Sequence, residues 1–209
     1  VEYEALKKKF KSKSKEIHCT FDTDQESESL SLENSIKKIQ SDAEDAIRSG
    51  VEHILLTDRK INQKKAPIPM VLAVGAVHTH LVRQGLRGFA SINVQSSDTL
   101  DVHSFAVLIG VGATTINPYL LEKTILNRYK KNNFSNINSS DALKYYKSSI
   151  NKGLLKIMSK MGICVLSSYR SGYNFEVVGL NRTLVADLFP GMTSRISGLG
   201  YLEIEKKII

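Results

Sequence analysis

The sequence of 209 residues has two cysteines, four prolines and no tryptophan. Two cysteines are too few to ligate an iron–sulfur cluster. Cys19 and Cys164 lie far apart, each in a predicted strand, which indicates reduced core thiols and not a disulfide framework. No run approaches the ~20 apolar residues that span a bilayer, and residues 1–17 lack the apolar core of a signal peptide. We therefore expect a cytoplasmic chain without membrane contact.

Positive charge is the main bias of the composition, with 29 Lys and Arg against 21 Asp and Glu and a net charge of +8. Such a balance is compatible with nucleic-acid binding. The lysines fall into two groups, one at residues 7–15 and one at residues 144–160, where Lys152, Lys156 and Lys160 recur on one helical face. Few aromatic residues lie among them, so stacking platforms for bases are missing. We favour a solvated or partner-facing surface over nucleic-acid binding.

Hydrophobic periodicity predicts strands that alternate with helices. The predicted strands are residues 17–21, 53–57, 89–95, 113–117 and 163–168. The predicted helices are residues 30–48, 70–83, 101–109, 141–160, 175–178 and 182–189, with another that begins at Pro118. This alternation indicates an α/β fold with βα units and a mainly parallel sheet. The residues expected to be buried are Leu55, Val74, Val107, Ile116 and Val165.

Composition along the chain predicts one folded domain with charged and polar margins. We expect a charged arm at residues 1–16 and a single α/β domain at residues 17–209. Its last part, residues 191–209, is expected to form a tail that leads to a following domain. The Asn/Ser-rich stretch at residues 130–140 is expected to be a flexible loop.

Polar side chains follow several of the predicted strands. Asp58 and Arg59 follow one strand, Gln95 ends the next, Asn117 precedes Pro118, and Tyr169 with Arg170 follows the last. Ligands of α/β folds collect at the carboxyl ends of parallel strands. These residues therefore form a candidate rim, with Tyr169 and Arg170 the first choice for an anion or a neighbouring domain. The competing interpretation is structural, since Asp58 and Asn117 are suited to capping the next turn or helix of the chain.

No motif identifies a catalytic, cofactor-binding or metal-binding residue. Gly110 and Gly112 resemble part of a dinucleotide fingerprint, but they close a predicted helix and open a strand, whereas a phosphate-binding loop does the reverse. His78 and His80 are two apart on a helix and point in different directions. No serine has the surroundings of a nucleophile elbow, and no acid–base pair stands out. The residues alone indicate an α/β domain without a recognisable catalytic apparatus.

Five collinear blocks carry a family resemblance. They are ILLTDR (54–59), PIPMVLAVGAVHTHLV (67–82), HSFAVLIGVGATTINPYL (103–120), SSINKGLLKIMSKMGI (148–163) continued by CVLSSYR (164–170), and MTSRISGLG (192–200). In this order and spacing the chain resembles the central domain of bacterial glutamate synthase large subunits. The family often has a Gly-Ala-Gln-Ile-Phe-Glu turn after SSYR, and this chain differs there at residues 171–174.

The resemblance implies a place within a larger enzyme that makes two glutamates from glutamine and 2-oxoglutarate. It implies an N-terminal glutaminase domain before the chain and an FMN-binding barrel with a three-iron (3Fe-4S) cluster after it, with a small NADPH-oxidising subunit as a further partner. The central domain itself is similar to a partial βα barrel and holds no cofactor. Arg170 and the SINKG helix start favour the NADPH-dependent branch over the ferredoxin-dependent one. No catalytic residue is carried over.

Three functions are compatible with the sequence. The first is a non-catalytic scaffold that couples the glutaminase and FMN domains of glutamate synthase. The second is a free-standing βα-barrel enzyme for a small molecule, with Asp58, Arg59, Tyr169 and Arg170 at its strand ends, although the predicted units are too few to close a barrel. The third is a basic module that binds nucleic acid through the two lysine groups.

Overall fold

The computed structural model of the chain describes residues 2–23, 31–131 and 138–209, so most of the predicted flexible loop at 130–140 lies outside the described residues. None of the helices in these ranges is long and apolar enough to span a membrane. The strands are β1 (Ser14–His18), β2 (Thr20–Asp22), β3 (His53–Thr57), β4 (Lys65–Pro67), β5 (Ser91–Gln95) and β6 (Thr115–Asn117). The helices are α1 (Glu2–Lys9), α2 (Ser31–Arg48), α3 (Met70–Arg83), α4 (Val102–Gly110), α5 (Tyr119–Lys131), α6 (Ser139–Lys160), α7 (Leu166–Tyr169), α8 (Arg182–Leu188) and α9 (Tyr201–Ile208).

A four-stranded parallel sheet in the order β1-β3-β5-β6 organises the chain. His53 pairs with Ser91 and Asn93 pairs with Thr115, so the strands are in register from one edge to the other. Helices α2, α3 and α4 connect successive strands of this sheet. β2 and β4 form a separate antiparallel pair. The predicted α/β fold with βα units and a mainly parallel sheet is confirmed, and its four strands form an open sheet and not a closed barrel.

One face of the sheet forms the main hydrophobic core. Its apolar residues pack against α2 and α3, because alternate strand residues point to the same side. The strand residues of this core are Ile17, Ile54, Leu56, Ile92 and Val94. On the helices, Leu32, Ile36 and Ile39 recur with helical spacing and are buried. The predicted burial of Leu55 and Val74 is confirmed, and Val107 and Ile116 are partly buried.

The other face of the sheet is mainly polar. Ser91 Oγ lies 2.7 Å from His53 Nδ1 and accepts a hydrogen bond of 2.9 Å from Asn93 Nδ2. Thr115 Oγ1 donates to Asn93 Oδ1 over 2.7 Å. The interior of a closed βα barrel is usually filled by bulky apolar side chains. Here strand-to-strand hydrogen bonds fix the side chains in place and give this face a defined polar surface.

The region after α6 differs from the prediction. Residues 163–168 were expected to form a buried strand, yet they form a loop followed by the single turn of α7, and Val165 is 53% exposed. Gly162, with φ of 69°, ends α6, and Ser168 N donates to Val165 O, so the chain turns before a strand can form. Cys164 is exposed in this loop. Residues 175–178 are not a helix, since Glu176 forms a bridge with Thr193.

Both ends of the chain contribute to the folded structure. Three residues of the predicted arm, Ser14 to Glu16, belong to β1, and Lys7 of α1 forms an ion pair with Glu16. In the predicted tail, α9 packs against α2. Its Glu205 is fully buried, and Glu205 Oε2 accepts a hydrogen bond of 2.9 Å from Leu32 N in the first turn of α2. The proposed domain limits remain a prediction, but α9 is part of this packing.

Candidate functional site

The carboxyl ends of β3, β5 and β6 lie at one edge of the sheet and carry a chain of hydrogen-bonded side chains. Thr57 Oγ1 donates to Gln95 Oε1 over 3.1 Å, and Gln95 Nε2 donates to Asn117 Oδ1 over 3.1 Å. Asn117 Nδ2 in turn donates to Glu122 Oε2 of α5 over 3.2 Å. Thr57 and Gln95 are buried. Since each residue is held by its neighbour, this edge has a fixed side-chain geometry.

Asp58 links two of the loops at this edge. It is 2% exposed, and its Oδ2 accepts hydrogen bonds from Ser97 N at 2.8 Å and Ser97 Oγ at 2.6 Å. Asp58 therefore holds the loop after β5 to the end of β3. This role goes beyond the predicted capping of the turn that follows Asp58 in the chain. Burial, followed by the charge of Asp58, raises the pKa of Tyr119. The guanidinium of Arg59 lies 4.8 Å from the centre of the Tyr119 ring, a cation–π distance.

Exposed apolar side chains lie on the segments that leave this edge of the sheet. Ile61 follows β3, Leu100 follows β5 and Leu120 lies just after β6, and they are 44%, 58% and 46% exposed. Loops that follow neighbouring parallel strands emerge at the same edge of a sheet. The edge thus combines a buried polar network with exposed apolar side chains on the segments that follow the strands.

The structure separates the two halves of the predicted rim. Asp58, Arg59 and Asn117 meet at the carboxyl edge, but Tyr169 and Arg170 do not follow a strand. Tyr169 is 3% exposed and packs in a second apolar cluster with Ala106 and Met158. Burial is the main cause that lowers the pKa of both His78 and Arg87. The charge of Arg170 also contributes to both shifts, which places Arg170 near these two residues. Arg87 binds the loops that enter β5 and β6, at the opposite end of the sheet.

A second polar cluster was not predicted from the sequence. Arg87 Nε donates to His78 Nδ1 over 3.0 Å, and His78 Nε2 lies 2.8 Å from Ser171 Oγ. The other guanidinium nitrogens of Arg87 donate to the carbonyls of Ala90 and Gly112, at 2.5 and 2.9 Å. His78 and Ser171 are 93 residues apart, so no local motif connects them. The glycine at residue 112 is the one signal that the sequence offers, since glycine readily adopts the positive φ of 130° found there.

The stability of the chain is expected to fall as the pH is lowered from about 6.5 to about 4. Burial, then the charges of Arg87 and Arg170, lowers the pKa of His78 to about 4. The unfolded chain therefore binds a proton in this window that the folded chain does not, and protonation favours unfolding. Urea unfolding at pH 5 and pH 7 measures the effect. His78→Gln keeps an acceptor and a donor but cannot titrate, so it should lose less stability; an equal loss in both proteins would contradict the assignment.

Comparison with known proteins supports one family across most of the chain. Residues 1–181 match the family model of the glutamate synthase central domain. The large chain of the NADPH glutamate synthase of Azospirillum brasilense is 48% identical over 208 residues, which cover 100% of this chain. That of Bacillus subtilis is 41% identical and covers 90%. The ferredoxin-dependent glutamate synthase 1 of Arabidopsis thaliana is 37% identical and covers 86%.

These relatives are much longer than this chain, which spans 12% to 14% of their length. They include NADPH and ferredoxin-dependent forms, and the NADH form of Schizosaccharomyces pombe is 36% identical. Among solved structures, a mutant flavocytochrome b2 with pyruvate bound aligns over 74% of this chain and 38% of the flavocytochrome chain. Its TM-score of 0.46 and sequence identity of 14% are too low to support an assignment. The sequence matches show that the chain belongs to the glutamate synthase central domain family.

Proposed function

We propose that this chain is the central, non-catalytic coupling domain of a glutamate synthase, and that the carboxyl edge of its sheet contacts the neighbouring domains. The observation that carries the proposal is the combination at that edge of a buried hydrogen-bonded network with the exposed Ile61, Leu100 and Leu120. Because the buried network already fixes the strand ends beneath these exposed side chains, little conformational entropy is lost when a surface docks there. The exposed apolar side chains supply the area to be buried.

In this proposal the neighbours are the glutaminase and FMN-binding domains of the same parent chain. The parent enzyme converts glutamine and 2-oxoglutarate to two glutamates in the cytoplasm and carries FMN and a 3Fe-4S cluster outside this segment. NADPH is the favoured electron source, through a small NADPH-oxidising subunit, and the 48% identity to an NADPH enzyme supports this choice. Family membership favours neither a free-standing barrel enzyme nor a nucleic-acid-binding module.

A rigid domain suits the transfer of ammonia between two active sites. Ammonia that meets bulk water becomes protonated and is lost to the reaction, so the two catalytic domains must be held together without a wet gap. The paired strands and the links from Asp58 to Ser97 and from Asn117 to Glu122 hold the edge in one geometry. The domain would then contribute to the reaction by holding the two catalytic domains in place and not by chemistry of its own.

Replacing Leu120 with aspartate in the complete enzyme is expected to uncouple the two half-reactions. The charge would oppose docking of an apolar surface, while an acidic residue in the first turn of α5 is compatible with the helix dipole and leaves this domain folded. Glutamate formed per glutamine consumed should fall from two towards one, because glutamine hydrolysis alone yields one glutamate. Arg59→Ala should act in the same direction.

Phe89→Asp is the matched control. Phe89 is 70% exposed in the turn just before β5, at the opposite end of the sheet, and its substitution should leave the ratio unchanged. A normal ratio in stably folded Leu120→Asp and Arg59→Ala enzymes would remove this edge from the proposed interface. A fall of equal size in the Phe89→Asp enzyme would show that the effect is not specific to the carboxyl edge.

A further inference from the structure

We propose that a cavity beside His78 and Ser171 binds a small carboxylate with a short apolar stem. The cavity has a volume of about 220 Å³ and lies between α3, the end of α4, the end of α8 and the turn that follows α7. It lies away from the carboxyl edge of the sheet, so the proposal does not depend on the coupling function. Its apolar wall consists of Val82, Val111, Leu188, Phe189, Pro190 and Met192.

The hydrogen bonds of the cluster have a fixed direction. An arginine side chain has donors and no acceptor, so Arg87 Nε must donate to an unprotonated His78 Nδ1. The neutral imidazole then carries its proton on Nε2 and donates it to Ser171 Oγ. The low pKa of His78 agrees with the neutral form. Because Ser171 accepts from His78, its hydroxyl proton remains to be donated elsewhere, and His78 cannot act as the base that would make Ser171 a nucleophile.

The unused donors of the cluster are next to each other in the chain. Ser171 has His78 as its side-chain partner, and the described part of the chain offers no acceptor for the Ser171 proton. The buried Arg170 Nε also has no hydrogen-bond partner there. Among the described residues, neither Arg170 nor Arg87 forms an ion pair with a carboxylate. An acceptor with a negative charge would satisfy both Ser171 and Arg170.

Arg83, which lines the cavity, differs from Arg170 in that its charge has a partner. Arg83 lines the same cavity, but Arg83 Nη1 donates to Asp187 Oδ1 over 3.0 Å and Nη2 donates to Ala186 O over 3.3 Å. Its charge is therefore already compensated within the chain. Arg170 is not among the residues that line the cavity, but it adjoins Ser171 in the chain, its charge acts on His78, and it has no carboxylate partner among the described residues.

The turn that presents Ser171 is held in an unusual conformation. Ser171 and Tyr173 have φ values of 58° and 52°, the left-handed region that residues other than glycine rarely adopt. Ser171 N donates to Gly110 O over 2.8 Å, and Asn174 Nδ2 donates to Tyr169 O over 3.1 Å. These bonds fix the turn at the wall of the cavity. Both left-handed residues line it, as expected where backbone strain accompanies ligand binding.

The size and lining of the cavity limit the ligand. A volume of about 220 Å³ is smaller than the ~300–1,000 Å³ of sites for drug-sized molecules. A carboxylate on a chain of a few carbons fits both the polar end and the apolar wall. Such a group can come from a free organic acid or from a glutamate side chain of a neighbouring domain, and the two sources share the same chemistry.

Butyrate is a suitable probe, with 1-butanol as the uncharged control. Titration of the chain followed by NMR should shift the signals of Ser171, Tyr173 and the His78 ring with butyrate and much less with butanol. Arg170→Gln and Ser171→Gly should each weaken butyrate binding about tenfold, the loss expected for one charge-assisted hydrogen bond. Glycine is compatible with the left-handed backbone at residue 171, so Ser171→Gly should fold. Arg83→Gln should change binding less than about twofold.

The same titration of the complete enzyme separates the two sources. Butyrate binding there indicates a site for a free acid, whereas binding to this chain alone indicates that a carboxylate of the parent chain fills the cavity. The proposal is overturned if butyrate causes no shifts in this chain, if butanol binds equally well, or if Arg83→Gln weakens binding as much as Arg170→Gln. Nitrogen chemical shifts that place the His78 proton on Nδ1 would also overturn it.

Discussion

Glu205→Ala is expected to lower the free energy of unfolding by about 3 kcal/mol. The substitution removes a fully buried carboxylate that accepts the Leu32 N–H, one of the N-terminal donors of α2 that lack a partner within the helix. A hydrogen bond to a charged group contributes about 1.5–3 kcal/mol, and loss of the side chain also leaves a cavity. For a chain of this size the melting temperature should fall by roughly 6–12 °C.

Two variants on the same helix control for other causes. Glu203→Ala removes an exposed carboxylate that accepts the Gly200 N–H at 2.9 Å and should cost less than about 1 kcal/mol. Glu205→Gln keeps an acceptor but loses the charge, so it should give an intermediate loss. Equal melting temperatures for the parent and Glu205→Ala would show that the link between α9 and α2 does not stabilise the fold.

Gly112→Ala is expected to cost about 3 kcal/mol and to displace the His78 ring. Gly112 has φ of 130°, and a Cβ there would lie 2.5 Å from two atoms of the His78 ring. The backbone strain of such a residue is of order 1–3 kcal/mol, and the steric overlap adds to it. Denaturant unfolding gives the free energy. NMR titration gives the pKa of His78, which should rise above about 4 if the ring moves towards solvent.

Gly162→Ala is the matched control for the backbone term. Gly162 also has a positive φ, 69°, but nothing lies within 4 Å of the position of its Cβ. It should cost about 1–2 kcal/mol and leave the pKa of His78 unchanged. If the two alanine variants are equally stable and His78 titrates as in the parent, contact between Gly112 and His78 does not matter for the fold.

The regular elements could be predicted where local pattern and tertiary packing agree. Residues 53–57 and 70–83 have the predicted bounds, because β3 and α3 are mostly apolar and their apolar residues are covered by the core. Residues 163–168 have the same apolar, β-branched character, but the sheet offers them no neighbouring strand. The chain turns there instead and leaves Val165 and Leu166 exposed.

Prediction of the candidate sites also depended on whether the local pattern and the tertiary packing agree. Asp58, Arg59 and Asn117 could be placed together because the carboxyl ends of consecutive parallel strands meet at one edge. Arg170 could not, since its position followed from a strand that does not form. The contact between His78 and Ser171 requires the packing of α3 against the turn after α7, and nothing in the local sequence at either residue indicates it.

The hydrogen bond between Glu205 and the Leu32 N–H also affects when the chain can complete its fold during synthesis. The two residues are 173 positions apart, and a ribosome adds ~5–20 residues per second. The acceptor is therefore synthesised on the order of 10–30 s after the donor, whereas helices form and fray within ~1 μs. Throughout that interval α2 has neither this cap nor the cover of α9. Acquisition of the final fold during synthesis must wait for α9, and a nascent chain stalled before residue 205 leaves the Leu32 N–H without the Glu205 acceptor and the α9-facing side of α2 uncovered.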